Sequence, residues 1–483
     1  MNIKQKAIQG LFWSGVQTWG SQAVALLTFL FLARLLSPED FGLVALANTF
    51  ITFSYVLVDQ GLNAAIVQRQ AIETRHLDSV FWTQLVLGLC FTAIGVGSAT
   101  FIAEAFNQPS LAPVLRCLSL LSVVRSLIMV QQAILRREFA FQKIAVRALV
   151  GILAGGVVGI LMAALGFGVW SLVGQQLTFE VVGVLIFWSL SQWRPRFQFS
   201  WDSLKELSGF GISIFGSKLL NFFNQNTDNF LIGFFLGETA LGYYAVAYRV
   251  LQVLTQLLVD TINQVALTTF SRLQQDPENL FRTFFKTLRL SSLVSFPIFL
   301  AVSVLSQELV IIIFGYQWQF AAPVMQILSL GGLVYLILFL NQSIFASVGH
   351  PEILLRLEIL NVVFNVVACL IAVQWGILAV ALAFVCSDFL VIPISLWLLK
   401  SILKLSLEQY FRQFLPALSC TTVMLMLIVA CKLKVSSLWS PASTLLFCTL
   451  VGGLAYGLCL RLFYPLTFQE IKQLTQLVRK GRA

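Results

Sequence analysis

The sequence predicts an all-α, polytopic membrane protein of about fourteen transmembrane helices, built as two parallel six-helix lobes followed by two C-terminal helices. Three observations carry that expectation. Only 11% of the 483 residues are charged and 58% are hydrophobic, whereas soluble chains carry about 25% charged residues. Apolar runs of about twenty residues recur from end to end, the length needed to cross roughly 30 Å of hydrocarbon. The 31 Lys and Arg are dispersed between those runs, so the net charge of +10 reads as membrane topology and excludes a nucleic-acid surface.

Charged, Pro and Gly punctuation places the spans at 11–35, 41–68, 79–103, 111–135, 144–166, 168–190, 209–235, 240–270, 287–307, 321–347, 353–374, 376–399, 412–432 and 440–463. Residues 1–200 then form the first lobe, 201–405 the second, and 406–483 the last two spans with a cytoplasmic tail. With the N-terminus inside, most basic residues fall in inside loops, among them Lys143, Arg147, Arg194 and Arg196. Only Arg34, Lys432 and Lys434 fall outside, and Arg116, Arg125, Lys218 and Arg249 lie within spans. Both termini are therefore expected in the cytoplasm, and the first span is expected to stay as an anchor. No segment between spans is long enough for a soluble catalytic domain. The inside stretch Trp201-Leu204-Leu207-Phe210 and the tail Ile471-Leu474-Leu477-Val478 have the spacing of amphipathic helices at the inner interface, with a solvated linker and tail as the alternative. His76 and His350 are expected as solvated loop residues. The 8 cysteines lie in or beside apolar runs without a CxxC, so neither a disulfide framework nor a metal site is expected.

An internal repeat supports the two lobes. Leu36-Ser37-Pro38-Glu39-Asp40-Phe41-Gly42 with Ala45 and Ala47 aligns with Leu236-Gly237-Glu238-Thr239-Ala240-Leu241-Gly242 with Ala245 and Ala247 at a constant offset. Val58-Asp59 matches Val259-Asp260 after a one-residue slip. An even number of spans separates the copies, so the repeat is parallel, and two such lobes are expected to leave a cavity that opens by rocking.

The stretches Ala33-Arg34-Leu35-Leu36-Ser37-Pro38-Glu39-Asp40-Phe41-Gly42, Asp59-Gln60-Gly61-Leu62, Leu135-Arg136-Arg137-Glu138-Phe139, Asn226-Thr227-Asp228-Asn229, Gly242-Tyr243-Tyr244 and Phe314-Gly315-Tyr316-Gln317-Trp318 resemble the polysaccharide exporters of the multidrug, oligosaccharidyl-lipid and polysaccharide flippase superfamily, the O-antigen and colanic-acid exporters included. The resemblance spans nearly the whole chain. It implies a flippase that moves an undecaprenyl-diphosphate-linked glycan across the bacterial plasma membrane, with membrane lipid around it and a glycan polymerase and export machinery as further partners. No nucleic acid is implied. No GxxxxGKS/T motif is present, so the drive must come from an ion gradient, the membrane potential or product consumption. A proton or sodium ion is the expected coupling species, and no other cofactor is expected.

Ionisable residues inside a membrane are costly and commonly face a cavity or a partner. Those within spans are Arg116, Arg125, Lys218, Arg249, Asp59, Glu180, Asp228, Asp260 and Asp388. Arg125 and Lys218, both near mid-membrane, are candidate diphosphate contacts, with neutralisation by Glu180 and Asp388 as the alternative. Asp228 and Arg249 reach similar depth on successive spans, as a structural ion pair or as a pair that substrate phosphate opens. Asp59 and Asp260, shared by the repeat, are candidates for packing, hinge or proton-coupling roles. Asn221, Gln225 and Asp228 fall on one helical face, so Asn221 and Gln225 are candidate sugar contacts, with interhelical hydrogen bonding as the alternative. A cation-coupled drug or small-solute antiporter is the competing transporter. A membrane glycosyltransferase is the competing enzyme, and the sparse acidic residues of the outer loops argue against it.

Overall fold

The computed structural model describes the backbone at residues 3–435 and 439–480, and side chains from residue 13 onward except at 16, 260, 261, 263–265, 351, 436–438, 471 and 474–483. Every long element among the described residues is a helix. The chain divides into two compact units, Met1–Gly242 and Tyr243–Ala483.

The first unit contains α1 (Ile3–Leu35), α2 (Pro38–Asp59), α3 (Leu62–Gln68), α4 (Thr74–Ala105), α5 (Leu111–Arg137), α6 (Phe141–Ala164), α7 (Val169–Leu190), α8 (Trp201–Phe235) and the start of α9 (Glu238–Thr255). The quoted Ser37-Pro38-Glu39-Asp40 stretch is a helix start. The Ser37 hydroxyl accepts from Asp40 N at 3.2 Å, Asp40 Oδ2 accepts from Ser37 N at 3.0 Å, and Pro38 occupies the first turn, where no N–H is required. Helices α4 and α5 pack through small polar groups: Thr92 Oγ1 donates to Ser119 O at 2.9 Å, and a side chain at Gly88 would meet Ser126. Gly151, Gly155 and Gly159 form a ridge on α6 that lets α7 approach, since a Cβ on Gly155 would stand 2.7 Å from Gln175 O.

Cations close several helix ends. Arg137 donates to the carbonyl of Ile66 at 3.0 Å and also to those of Arg69 and Gln70, beyond the end of α3. Lys143 and Arg194 do the same for the end of α7, at Leu190 O (3.1 Å) and Trp188 O (2.6 Å). Positive groups are favoured there by the helix dipole and the unpaired carbonyls.

The second unit contains the rest of α9, α10 (Thr261–Arg272), α11 (Pro277–Val304), α12 (Ser306–Ile313), α13 (Ala321–Ser347), α14 (Pro351–Ala372), α15 (Ile377–Leu403), α16 (Leu407–Arg412), α17 (Leu415–Val435), α18 (Pro441–Phe463) and α19 (Pro465–Lys480). Its core joins Phe284, Leu288 and Phe296 of α11 to Leu340 and Phe345 of α13 and Leu399 of α15. A buried polar relay ties α16 to this core: Tyr410 donates to Asn341 Oδ1 at 2.9 Å, and Asn341 donates to Ser395 Oγ at 3.2 Å. The last two long helices dock through Lys432, which donates to Glu308 (2.9 Å) and Val304 O (2.9 Å), and through Tyr456, which donates to Leu293 O (2.7 Å).

Twelve described helices are long and apolar enough to cross a membrane, and they correspond to all expected spans but two. Those two are 209–235 and 240–270, now α8 and α9–α10. The polar residues that make α8 a candidate site helix also lower its hydropathy. The spans expected as single helices at 41–68 and 240–270 are both interrupted, and at equivalent places in the repeat. Helix α2 ends after Asp59, where Gln60 (φ 45°) and Gly61 (φ 72°) adopt left-handed conformations. The other copy relaxes into a π-helical turn at Gln256–Asp260. Breaks of this kind are common at functional positions.

Three local expectations are corrected. Trp201–Phe210 is not a separate interfacial helix but the first turns of α8, and Leu207 is buried with Leu62, Ile66, Leu77 and Phe81. His76 is buried rather than solvated: Glu73 N donates to Nδ1 at 3.2 Å, leaving Nε2 to donate to Glu206 at 3.2 Å. That bond, with one from Arg69, holds the Glu206 carboxyl below the usual carboxylate range. Arg147 is not a loop cation; it lies on the second turn of α6. His350 is partly exposed and pairs with Glu352 at 2.9 Å. The tail is helical as α19, while the side chains of Ile471, Leu474, Leu477 and Val478 lie outside the described residues.

Candidate functional site

The first unit gathers most of the candidate residues into two charge clusters. In one, Glu180 on α7 accepts from Arg147 on α6 at 2.6 Å and stands 4.0 Å from Arg125 on α5. The guanidinium of Arg125 lies 4.2 Å above the ring of Tyr55 on α2, and that of Arg147 lies 4.4 Å from the ring of Phe179. Cation–π contact of this kind holds an arginine without consuming its charge. Two cations share one carboxylate here, so the cluster keeps a net positive charge. The side chain of Arg125 is 43% exposed and that of Arg147 only 12%.

In the second cluster Lys218 on α8 pairs with Asp59 at the end of α2, and Asn63 of α3 donates to the same carboxylate. The ion pair therefore sits on the helix break. Close approach there depends on Gly61, where a Cβ would collide with the Gly211 carbonyl. Lys218 remains 42% exposed. One and two turns further along α8, Asn221 and Gln225 are exposed on the same face, and Gln225 Nε2 donates to Asn221 Oδ1 at 3.5 Å. Asp228 continues that spacing but is fully buried, and its Oδ1 accepts from Asn229 N at 2.8 Å.

Glu180 thus does neutralise part of the Arg125 charge, as one expectation had it, but it is bound more tightly by Arg147. Lys218 is matched by Asp59, and Asp388 accepts instead from Asn361 at 2.8 Å in the second unit. Arg249 belongs to that unit too and donates to Gln252 at 3.4 Å. The Asp260 side chain lies outside the described residues. Arg147 and Tyr55 were missed by sequence reasoning. One signal existed, because Arg147 precedes Gly151, Gly155 and Gly159 at a repeating spacing of four, which points it at whatever α6 packs against.

Paired charges and an exposed polar helix face among apolar spans define a polytopic integral membrane protein. Residues 31–323 match the family described as polysaccharide biosynthesis protein, and the chain belongs to that family. It is 30% identical over 318 residues to the succinoglycan biosynthesis transport protein ExoT of Rhizobium meliloti (strain 1021), a match covering 66% of this chain and 64% of that relative. It is 24% identical to the teichuronic acid biosynthesis protein TuaB of Bacillus subtilis (strain 168) over 100% of this chain and 99% of the relative. A solved structure of the lipid II flippase MurJ in an inward closed conformation shares the fold, with a TM-score of 0.76 and 16% identity over 94% of this chain and 99% of that one.

Proposed function

We propose that the protein flips an undecaprenyl-diphosphate-linked oligosaccharide or polysaccharide precursor from the inner to the outer leaflet of a bacterial plasma membrane. The family, the names of its relatives and the MurJ-like fold support that reading. The observation that carries it is Arg125, a half-exposed guanidinium in a membrane helix cluster that keeps a net positive charge. A lipid-linked glycan presents an anionic diphosphate between a sugar and an apolar tail, and a cation in a low-dielectric setting attracts it strongly. Lys218 is the second cation, and the neutral amides of Asn221 and Gln225 suit sugar hydroxyls. Asp59, Asp228 and Asp260 are the carboxylates through which a proton or sodium gradient would act. A glycan polymerase and export machinery are the partners that would receive the product.

Deleting the gene should remove one glycan from the cell surface and leave its lipid-linked precursor accumulating in the inner leaflet. Loss of the glycan without that accumulation would point to a biosynthetic enzyme and reject the flippase. Topology is tested separately, with both termini cytoplasmic. In a background without reactive native thiols, Ser110→Cys should react with an impermeant thiol reagent and Gln275→Cys should not; both positions are exposed between helices. The reverse labelling would invert the orientation.

A further inference from the structure

The cluster on α5, α6 and α7 divides its charges unequally. Arg147 Nη2 donates to Glu180 Oε2 at 2.6 Å, a direct charge-assisted hydrogen bond, whereas Arg125 Nη1 is 4.0 Å from Oε1 and makes none to it. Arg147 is enclosed. The rings of Phe179 and Phe187 lie 4.4 and 5.5 Å from its guanidinium carbon, and its guanidinium fills the space that a side chain at Gly183 would take. A group so confined does not reach a ligand, so its charge acts through the carboxylate beside it. Arg125 has the opposite situation, resting on Tyr55 with much of its surface open.

From this division we propose that Arg147 is a positioning residue for anion binding: it saturates Glu180, keeps that carboxylate from closing on Arg125, and so leaves Arg125 open to a diphosphate. The inference rests on Arg125 as the diphosphate contact. Without Arg147, Glu180 would be a nearly buried carboxylate whose nearby cation is Arg125, and a small rotation would close the 4.0 Å gap. An incoming diphosphate would then have to break a desolvated ion pair before binding, which weakens it. Removing Glu180 should do the reverse, because nothing would compete for Arg125.

The test is the dissociation constant for farnesyl diphosphate, a short-chain polyprenyl diphosphate, measured by titration calorimetry on the full chain in detergent. Arg125→Gln should weaken binding by about tenfold or more, and Arg147→Met by a similar factor. Glu180→Gln should bind at least as tightly as the unaltered protein. The double variant Arg147→Met with Glu180→Gln should return to within about threefold of it, and Arg147→Lys should stay near it. A merely structural role for Arg147 would lower the thermal midpoint and the binding stoichiometry of Arg147→Met but leave the dissociation constant of its folded fraction unchanged, so both are measured beside the affinity. Normal binding by Arg125→Gln would reject Arg125 as the diphosphate contact. Weak binding by Arg125→Gln, combined with normal binding by Arg147→Met or a failed rescue, would overturn the positioning role alone. If Arg147→Met does not fold, Glu180→Gln decides: unchanged or tighter binding supports the proposal and weaker binding overturns it.

Discussion

Gly42→Leu and Gly242→Leu are each expected to prevent accumulation of folded protein, and the corresponding alanine variants to lower its thermal midpoint. A Cβ on Gly42 would fall far inside van der Waals contact distance of the Glu238 carbonyl oxygen, and a Cβ on Gly242 far inside that of the Pro38 carbonyl oxygen. The two collisions are the same collision seen from the two copies of the repeat, since 38 and 238, like 42 and 242, are aligned positions. The starts of α2 and α9 therefore cross backbone to backbone, and neither obstacle is a flexible side chain that could rotate away. Overpacking a tight contact costs about 1–3 kcal/mol, and a forced backbone shift adds to it. Gly97 provides the control, because nothing lies within 4 Å of a Cβ built there. Gly97→Ala should be neutral or stabilising, as alanine is the better helix former. The measurement is thermal unfolding in detergent. A Gly42→Ala variant that melts with the unaltered protein would remove the crossing from the account.

That crossing was partly legible in the sequence. The repeat that contains Gly42 and Gly242 could be found by alignment, because duplication leaves a constant offset, but sequence similarity alone does not say that the two copies touch. Most spans were equally legible, since about twenty apolar residues have few other uses. The helix breaks beside Asp59 and at Gln256–Asp260 were not. A membrane helix that breaks keeps its apolar composition, and only Gln60-Gly61, two residues in a long run, marks the place where left-handed backbone is needed. Arg147 was misplaced for a related reason. The charge rule assigns a cation near a helix end to the loop, whereas the guanidinium here turns inward along the glycine face of α6 to reach Glu180. His76 was misread because its two partners, Glu73 and Glu206, are both polar residues of apparent loops, and the second lies far away in sequence. Pairings of that kind arise only when helices pack, so the candidate cations could be named from sequence while their partners could not.

Lys218→Gln should slow flipping of every lipid-linked glycan the protein accepts, by roughly tenfold or more, without altering the preference among them. Asn221→Ala should do the opposite, with a smaller loss that differs between glycans. The reasoning is electrostatic. The diphosphate is common to all such substrates, and its attraction to a cation depends on charge and distance and hardly at all on the sugar beyond it. Neutral amides contribute little net attraction but hydrogen-bond in fixed directions, so an added or missing hydroxyl changes how many bonds form. The two side chains stand one turn apart on the same exposed face of α8, close enough for a phosphate at Lys218 to bring the first sugar toward Asn221 and Gln225. Lys218 is also held by Asp59 at the break after α2, so its removal leaves a buried carboxylate without its cation, and Asp59→Asn must be combined with Lys218→Gln to separate that penalty from lost attraction. Flipping is read in proteoliposomes with two undecaprenyl-diphosphate-linked glycans that differ in one sugar. If the double variant recovers full rate, Lys218 serves the helix break and not the substrate. If Lys218→Gln changes the ratio of the two rates while Asn221→Ala leaves it constant, charge and amide have exchanged the roles assigned to them, and this face of α8 does not read the glycan as argued.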